Sequence, residues 1–107
     1  MEMYFYYMDK KRKIHRTTSF EIWRQNVPNS LHLETIVGKV RVSTFFFGMD
    51  SSYFYRITER PYLFETVIFK GRKSEKVGRY TTMEEAVKGH RKIVRELTKL
   101  HKTREKK

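Results

Sequence analysis

The chain has 107 residues, with 24 Lys+Arg against 12 Asp+Glu and a formal charge of +12. That length suits one domain with one modest core. With no cysteine present, disulfide scaffolds, thiolate metal sites, Cys nucleophiles and iron–sulfur clusters are excluded. Hydrophobic residues make up 38%, below the about 45–50% usual for globular domains. Aromatics at 15% are nevertheless too many for a disordered basic tail. No apolar run approaches the ~20 residues a membrane span needs. Met1 to Met8 lacks the basic start and small-residue cleavage site of a signal peptide. The expectation is a soluble, cytoplasmic domain with no membrane partner.

Met3 to Met8 is an aromatic run and a strong strand former. Asp9-Lys10-Lys11-Arg12-Lys13 reads as a charged turn, and Ile14 to Arg16 as a short return strand. Thr18-Ser19-Phe20-Glu21 fits a capping box with Thr18 as N-cap. The helix it opens is short, puts Phe20 and Trp23 on one face and stops at Pro28-Asn29-Ser30. Leu31 to Val37 alternates as a strand, and Gly38-Lys39 supplies a tight Gly-X hairpin turn. Val40 to Phe47 returns as the strongest strand. Val40, Val42, Thr44 and Phe46 share one of its faces, and Arg41, Ser43, Phe45 and Phe47 the other. Residues 50–61 read as a loop with Tyr53, Phe54 and Tyr55 in its middle. Tyr62 to Phe69 is a further strand, Gly71 to Lys76 a polar turn, and Val77 to Tyr80 a short strand.

The last helix has the clearest signal. Thr81-Thr82-Met83-Glu84 is a capping box, and the frame Thr82 to Glu85 works as well. Ala86, His90, Ile93, Leu97 and Leu100 recur at helical spacing as one stripe. Lys88, Arg91, Lys92, Arg95 and Lys99 fall opposite. The predicted order is β-β-α-β-β-β-β-α. The fold class is α+β: a single antiparallel sheet, a meander, packed by a long C-terminal helix and a short helix from the N-terminal half. Residues 1–101 form one domain, and 102–107 a frayed basic tail.

Two kinds of site are worth weighing. Asp50, Glu65, Glu85 and His90 are the group from which a metal-assisted phosphodiester hydrolase would be built. Each also has a structural role to hand. Glu85 caps a helix, and His90 on an apolar stripe reads as a packed, hydrogen-bonded core residue with Glu65 as its partner. The favoured reading is a structural polar network of Asp50, Glu65 and His90, with no catalytic residue, metal or cofactor. Ser43 and Thr44 beside His90 suggest nucleophilic hydrolysis only weakly, since no nucleophile elbow is present. Gly71-Arg72-Lys73-Ser74 lacks phosphate-loop spacing.

The basic surface carries more information. Its patches are Lys10, Lys11, Arg12 and Lys13; Arg72 and Lys73; and Lys88, Arg91, Lys92, Arg95 and Lys99. Charge of this size attracts polyanions, and aromatic side chains such as Tyr4, Tyr6, Tyr53, Phe54 and Tyr55 stack on bases or fill partner pockets. The alternative is a solvated surface that serves solubility. No helix-turn-helix, zinc finger or RNP motif points to sequence-specific reading.

Val42-Ser43-Thr44-Phe45-Phe46-Phe47-Gly48-Met49-Asp50, Phe64-Glu65-Thr66-Val67-Ile68-Phe69 and Arg79-Tyr80-Thr81-Thr82-Met83-Glu84-Glu85-Ala86 with Gly89-His90 occur in that order. Together with Tyr7-Met8-Asp9-Lys10 and Trp23 they resemble a group of small uncharacterised bacteriophage proteins. Two departures stand out: Ser51 where that group usually has His, and an aromatic loop where it has Gly and Pro. The resemblance implies phage origin and a place in the host cytoplasm, and it implies no chemistry. The expected function is therefore a phage-type, non-enzymatic protein that binds nucleic acid or an acidic, nucleic-acid-handling host protein. The alternatives are an anti-CRISPR-like inhibitor of host defence acting by protein contact, and a small metal-dependent nuclease.

Overall fold

The computed structural model describes residues 4–48 and 61–105. Strands β1 (Phe5–Met8) and β2 (Ile14–Thr17) form an antiparallel hairpin, followed by helix α1 (Phe20–Asn26) and a 3-10 turn, Val27–Asn29. Strands β3 (His32–Val37), β4 (Val40–Phe46), β5 (Phe64–Lys70) and β6 (Lys73–Tyr80) form a four-stranded antiparallel meander in that order. Helix α2 (Met83–Glu105) closes the chain. The α+β class and the packing of α2 on the sheet are as expected. The strands, however, divide into two sheets, and α1 packs on the β1–β2 hairpin rather than on the meander. An aromatic cluster accounts for that docking. Phe5 of β1 meets Phe20 at 6.0 Å and Trp23 at 5.7 Å between ring centroids.

Local chemistry sets the element ends. Ser19, not Thr18, caps α1: its hydroxyl accepts the Ile22 N–H at 3.2 Å. At α2 the Thr82 frame is used, with the Glu85 N–H donating to Thr82 Oγ1 at 3.2 Å and the Thr81 and Thr82 hydroxyls both donating to Glu85 Oε1 at 3.1 Å. The helix runs to Glu105, past the expected fraying point. Both meander hairpins turn on two residues, Gly38-Lys39 and Gly71-Arg72. Each places glycine first, at φ 61 and 59, where a Cβ is disfavoured. Strand β6 therefore starts at Lys73, four residues earlier than its apolar residues suggest, and a bulge lies opposite Thr66 and Val67.

The apolar core is small. Met8, Leu31, Phe46, Leu63, Phe64 and Ala86 cluster at one end of the α2–meander interface. The hairpin is tied there by a Tyr6 N–H to Gly48 C=O bond of 2.8 Å and a Leu31 N–H to Met8 Sδ contact of 3.4 Å. Tyr6 packs on this core, so it is a structural residue. Towards the other end the packing loosens: Leu97, Leu100 and His101 line an open cavity with the Gly38-Lys39 turn and Gly71, and Leu100 is 58% exposed.

Tyr80 fills the gap between β6 and α2 at two glycines. A Cβ on Gly78 or on Gly89 would overlap the Tyr80 phenol. Helix propensity alone makes Gly89→Ala stabilising by about 1 kcal/mol. Steric overlap reverses the sign, and the expected result in urea unfolding is a loss of about 1–3 kcal/mol. In a Tyr80→Ala background the same substitution should become neutral or favourable. Equal effects in both backgrounds would show that the glycine serves something other than Tyr80.

Candidate functional site

His90 lies at the centre of the α2–meander interface and is 5% exposed. Its Nδ1 is 2.8 Å from Thr44 Oγ1, and its Nε2 is 2.9 Å from Thr35 Oγ1. Thr44 Oγ1 lies 2.6 Å from Thr66 Oγ1, which donates to the Tyr80 hydroxyl at 3.1 Å. Proton counting orients the chain. Thr66 spends its proton on Tyr80, so Thr44 donates to Thr66 and accepts from His90 Nδ1–H. Burial lowers the His90 pKa from 6.5 and so favours the neutral ring. In that form Nε2 accepts from the Thr35 hydroxyl. No buried side-chain nitrogen or oxygen among the described residues lacks a partner.

The expected Glu65–His90 contact does not form. β5 pairs with β4 so that Thr66 faces Thr44 and Glu65 faces Phe45. Alternation then sends Glu65 to the sheet face remote from α2, where Lys76 Nζ lies 3.6 Å from Oε1. Glu85 is held by Thr81 and Thr82. Asp50, Tyr53, Phe54 and Tyr55 lie outside the described residues. Among the described residues no three His, Asp or Glu side chains group as a metal would require.

The predicted cations fall in three places. Lys10 to Lys13 cross the tip of the β1–β2 hairpin, all exposed. Asp9 organises that tip. Its carboxylate accepts the Lys11 and Lys13 N–H groups at 2.8 and 3.0 Å and meets His15 Nε2 at 2.8 Å. These bonds, led by that to His15, lower its pKa to about 2. Arg72 and Lys73 sit exposed at the β5–β6 turn. The third group lies on one helix. Lys88, Arg91, Lys92, Arg95 and Lys99 line one shallow groove along α2, with Glu96 as its one carboxylate. All five are exposed, while His90 and Ala86 of the same helix are buried.

Sequence reasoning had not singled out the remote sheet face, which carries Arg41, Phe45, Phe69, Lys76 and Arg79. The alternation of β4 already placed Arg41 and Phe45 there, but the partners from β5 and β6 needed the register. No described helix is long and apolar enough to cross a membrane. Comparison with family models, curated proteins and solved structures returned no match.

The His90 network has a pH consequence. The folded-state pKa lies below the unfolded value, so the unfolded chain binds the extra proton in the window beneath pH 6.5. Stability should be full above that window and fall as the pH drops from about 7.5 to 5. Urea unfolding over this range checks it, and His90→Gln should flatten the dependence. A wild-type profile level across the window would mean that the imidazole is protonated in place.

Proposed function

We propose that the protein is a non-enzymatic binding protein whose target is the phosphate backbone of nucleic acid, docked on the outer face of α2. The observation that carries this reading is the stripe of Lys88, Arg91, Lys92, Arg95 and Lys99, five cations to the one carboxylate of Glu96, on the exposed side of a helix whose inner side is committed to the sheet. Residues at i, i+3, i+4, i+7 and i+11 keep one direction over three turns of helix. Cations in such a row neutralise successive phosphates and release counterions. They read charge, not bases, so binding should be indifferent to sequence. The net charge of +12 adds long-range attraction. The likeness to small phage proteins supports a setting in an infected cell, where a host protein with an acidic groove presents a similar target.

Replacing the five cations by Gln is the test. Gln matches Lys and Arg in helix propensity, and exposed charges contribute about 0–1 kcal/mol each, so folding should persist. Duplex binding should weaken at every sequence alike. The slope of log K against log salt should flatten by about one unit for each phosphate that is no longer neutralised. An unchanged slope would remove α2 from the interface. Duplex affinity absent in the parent, together with capture of one acidic host protein after nuclease treatment, would favour the protein target.

A further inference from the structure

The meander has a second face. α2 is the only described helix packed on this sheet, and it packs on the side of Val42, Thr44, Phe46 and Phe64. Reading across the register, the remote side presents three rows. They are Ile36–Arg41–Phe69–Ser74, then Glu34–Ser43–Val67–Lys76, then His32–Phe45–Glu65–Arg79. Two features set this surface apart from a solvated one. Phe69 and Phe45 stand four residues apart along the central strands, and the Arg41 guanidinium lies over the Phe69 ring at 4.4 Å. Ile36, one position away across the register, is 69% exposed.

We propose that this face is a stacking platform for single-stranded nucleic acid. Phe45 and Phe69 are half-exposed on the central strands, with Ser43, Val67 and Glu65 buried between them. Such rings offer π-faces to unpaired bases, and every base has a π-face to return. The Arg41–Phe69 pair is one such layer, since guanidinium planes stack on bases as well as on rings. Phe45 is the second, bounded by His32 and Arg79. The carboxylates of the face do not oppose a strand. Glu34 is paired with Arg41 at 3.4 Å and Glu65 with Lys76 at 3.6 Å, and Arg79 leaves the face net positive. Arg41 and Glu34 are both exposed, at 51% and 38%, so that pair holds weakly and a phosphate can take the guanidinium. Glu65 is only 9% exposed, so Lys76 stays on it and meets a phosphate with its remaining N–H donors. A duplex does not fit this chemistry, because its bases are already stacked. The platform is thus distinct from the α2 stripe and stands or falls separately.

Fluorescence anisotropy with a labelled oligo-dT 12-mer and a 20-base-pair duplex tests it. The protein variants are the parent, Phe45→Leu/Phe69→Leu and the five-Gln helix variant. Leucine keeps the apolar contact and removes the π-face. The double-Leu variant should lose roughly tenfold or more in affinity for the single strand and keep its duplex affinity. The five-Gln variant should show the reverse preference. If the double-Leu variant binds oligo-dT as tightly as the parent, or the parent binds none, the platform is overturned while the helix reading stands. A parent dimer that the double-Leu variant dissociates also overturns it, since a second copy then covers the face. Should that variant fail to fold, photo-crosslinking of the parent to oligo-dU carrying 5-iodouracil decides. Crosslinks at Phe45 or Phe69 support the platform, and crosslinks confined to α2 overturn it.

Discussion

The rest of the structure depends on the rotation of α2, and the two bonds of the His90 ring set it. Thr35 and Thr44 stand on neighbouring strands and hold opposite ends of one imidazole. An apolar stripe tolerates some rotation about the helix axis, because Ile, Leu and Val contacts are not directional. A ring bonded at both nitrogens does not. With His90 pointing inward, helical geometry sends residues 88, 91, 92, 95 and 99 outward. The alignment of the cation stripe is therefore inherited from a buried polar contact.

That device suits a chain short of apolar residues. The core cluster occupies one end of the interface and leaves the middle to Thr35, Thr44, Thr66, Tyr80 and His90. Hydroxyls there add little net stability when paired and cost much when orphaned. Their full pairing gives the docking a single geometry in place of deep burial. The two glycines beside Tyr80 belong to the same arrangement, since they bring the phenol within reach of Thr66.

Much of the fold was legible in the residues, for physical reasons. The order of eight elements, the Gly38-Lys39 turn and the inward stripe of α2 all rest on strong local signals: alternation, positive-φ glycine and capping. The start of β6 was not legible, because Lys73-Ser74-Glu75-Lys76 lies at a sheet edge, exposed on both sides, and shows no apolar alternation. The phase of β5 was hidden for the opposite reason. Phe64, Glu65, Thr66 and Val67 are all buried, so either parity looks inward, and Glu65 was set against His90 when Thr66 holds that side. The separation of the β1–β2 hairpin depends on Phe5, Phe20 and Trp23 finding one another, which strand propensity does not register. Of the site, the α2 stripe was readable from periodicity alone. The remote sheet face was not, because its residues come from four strands and only the register assembles them.

The two basic surfaces lie on opposite sides of one sheet, and this constrains how a single polyanion would use both. A strand stacked on Phe45 and Phe69 and also bound along α2 has to pass round a sheet edge. The edges are unequal. β3 presents His32, Glu34 and Ile36, whereas β6 presents Lys73, Lys76 and Arg79 with Glu75. An anionic chain follows the more positive edge, so the route, if used, runs over β6, whose bulge increases the local twist of that edge. Basic residues that look like simple protection of an edge strand would then also join the two surfaces.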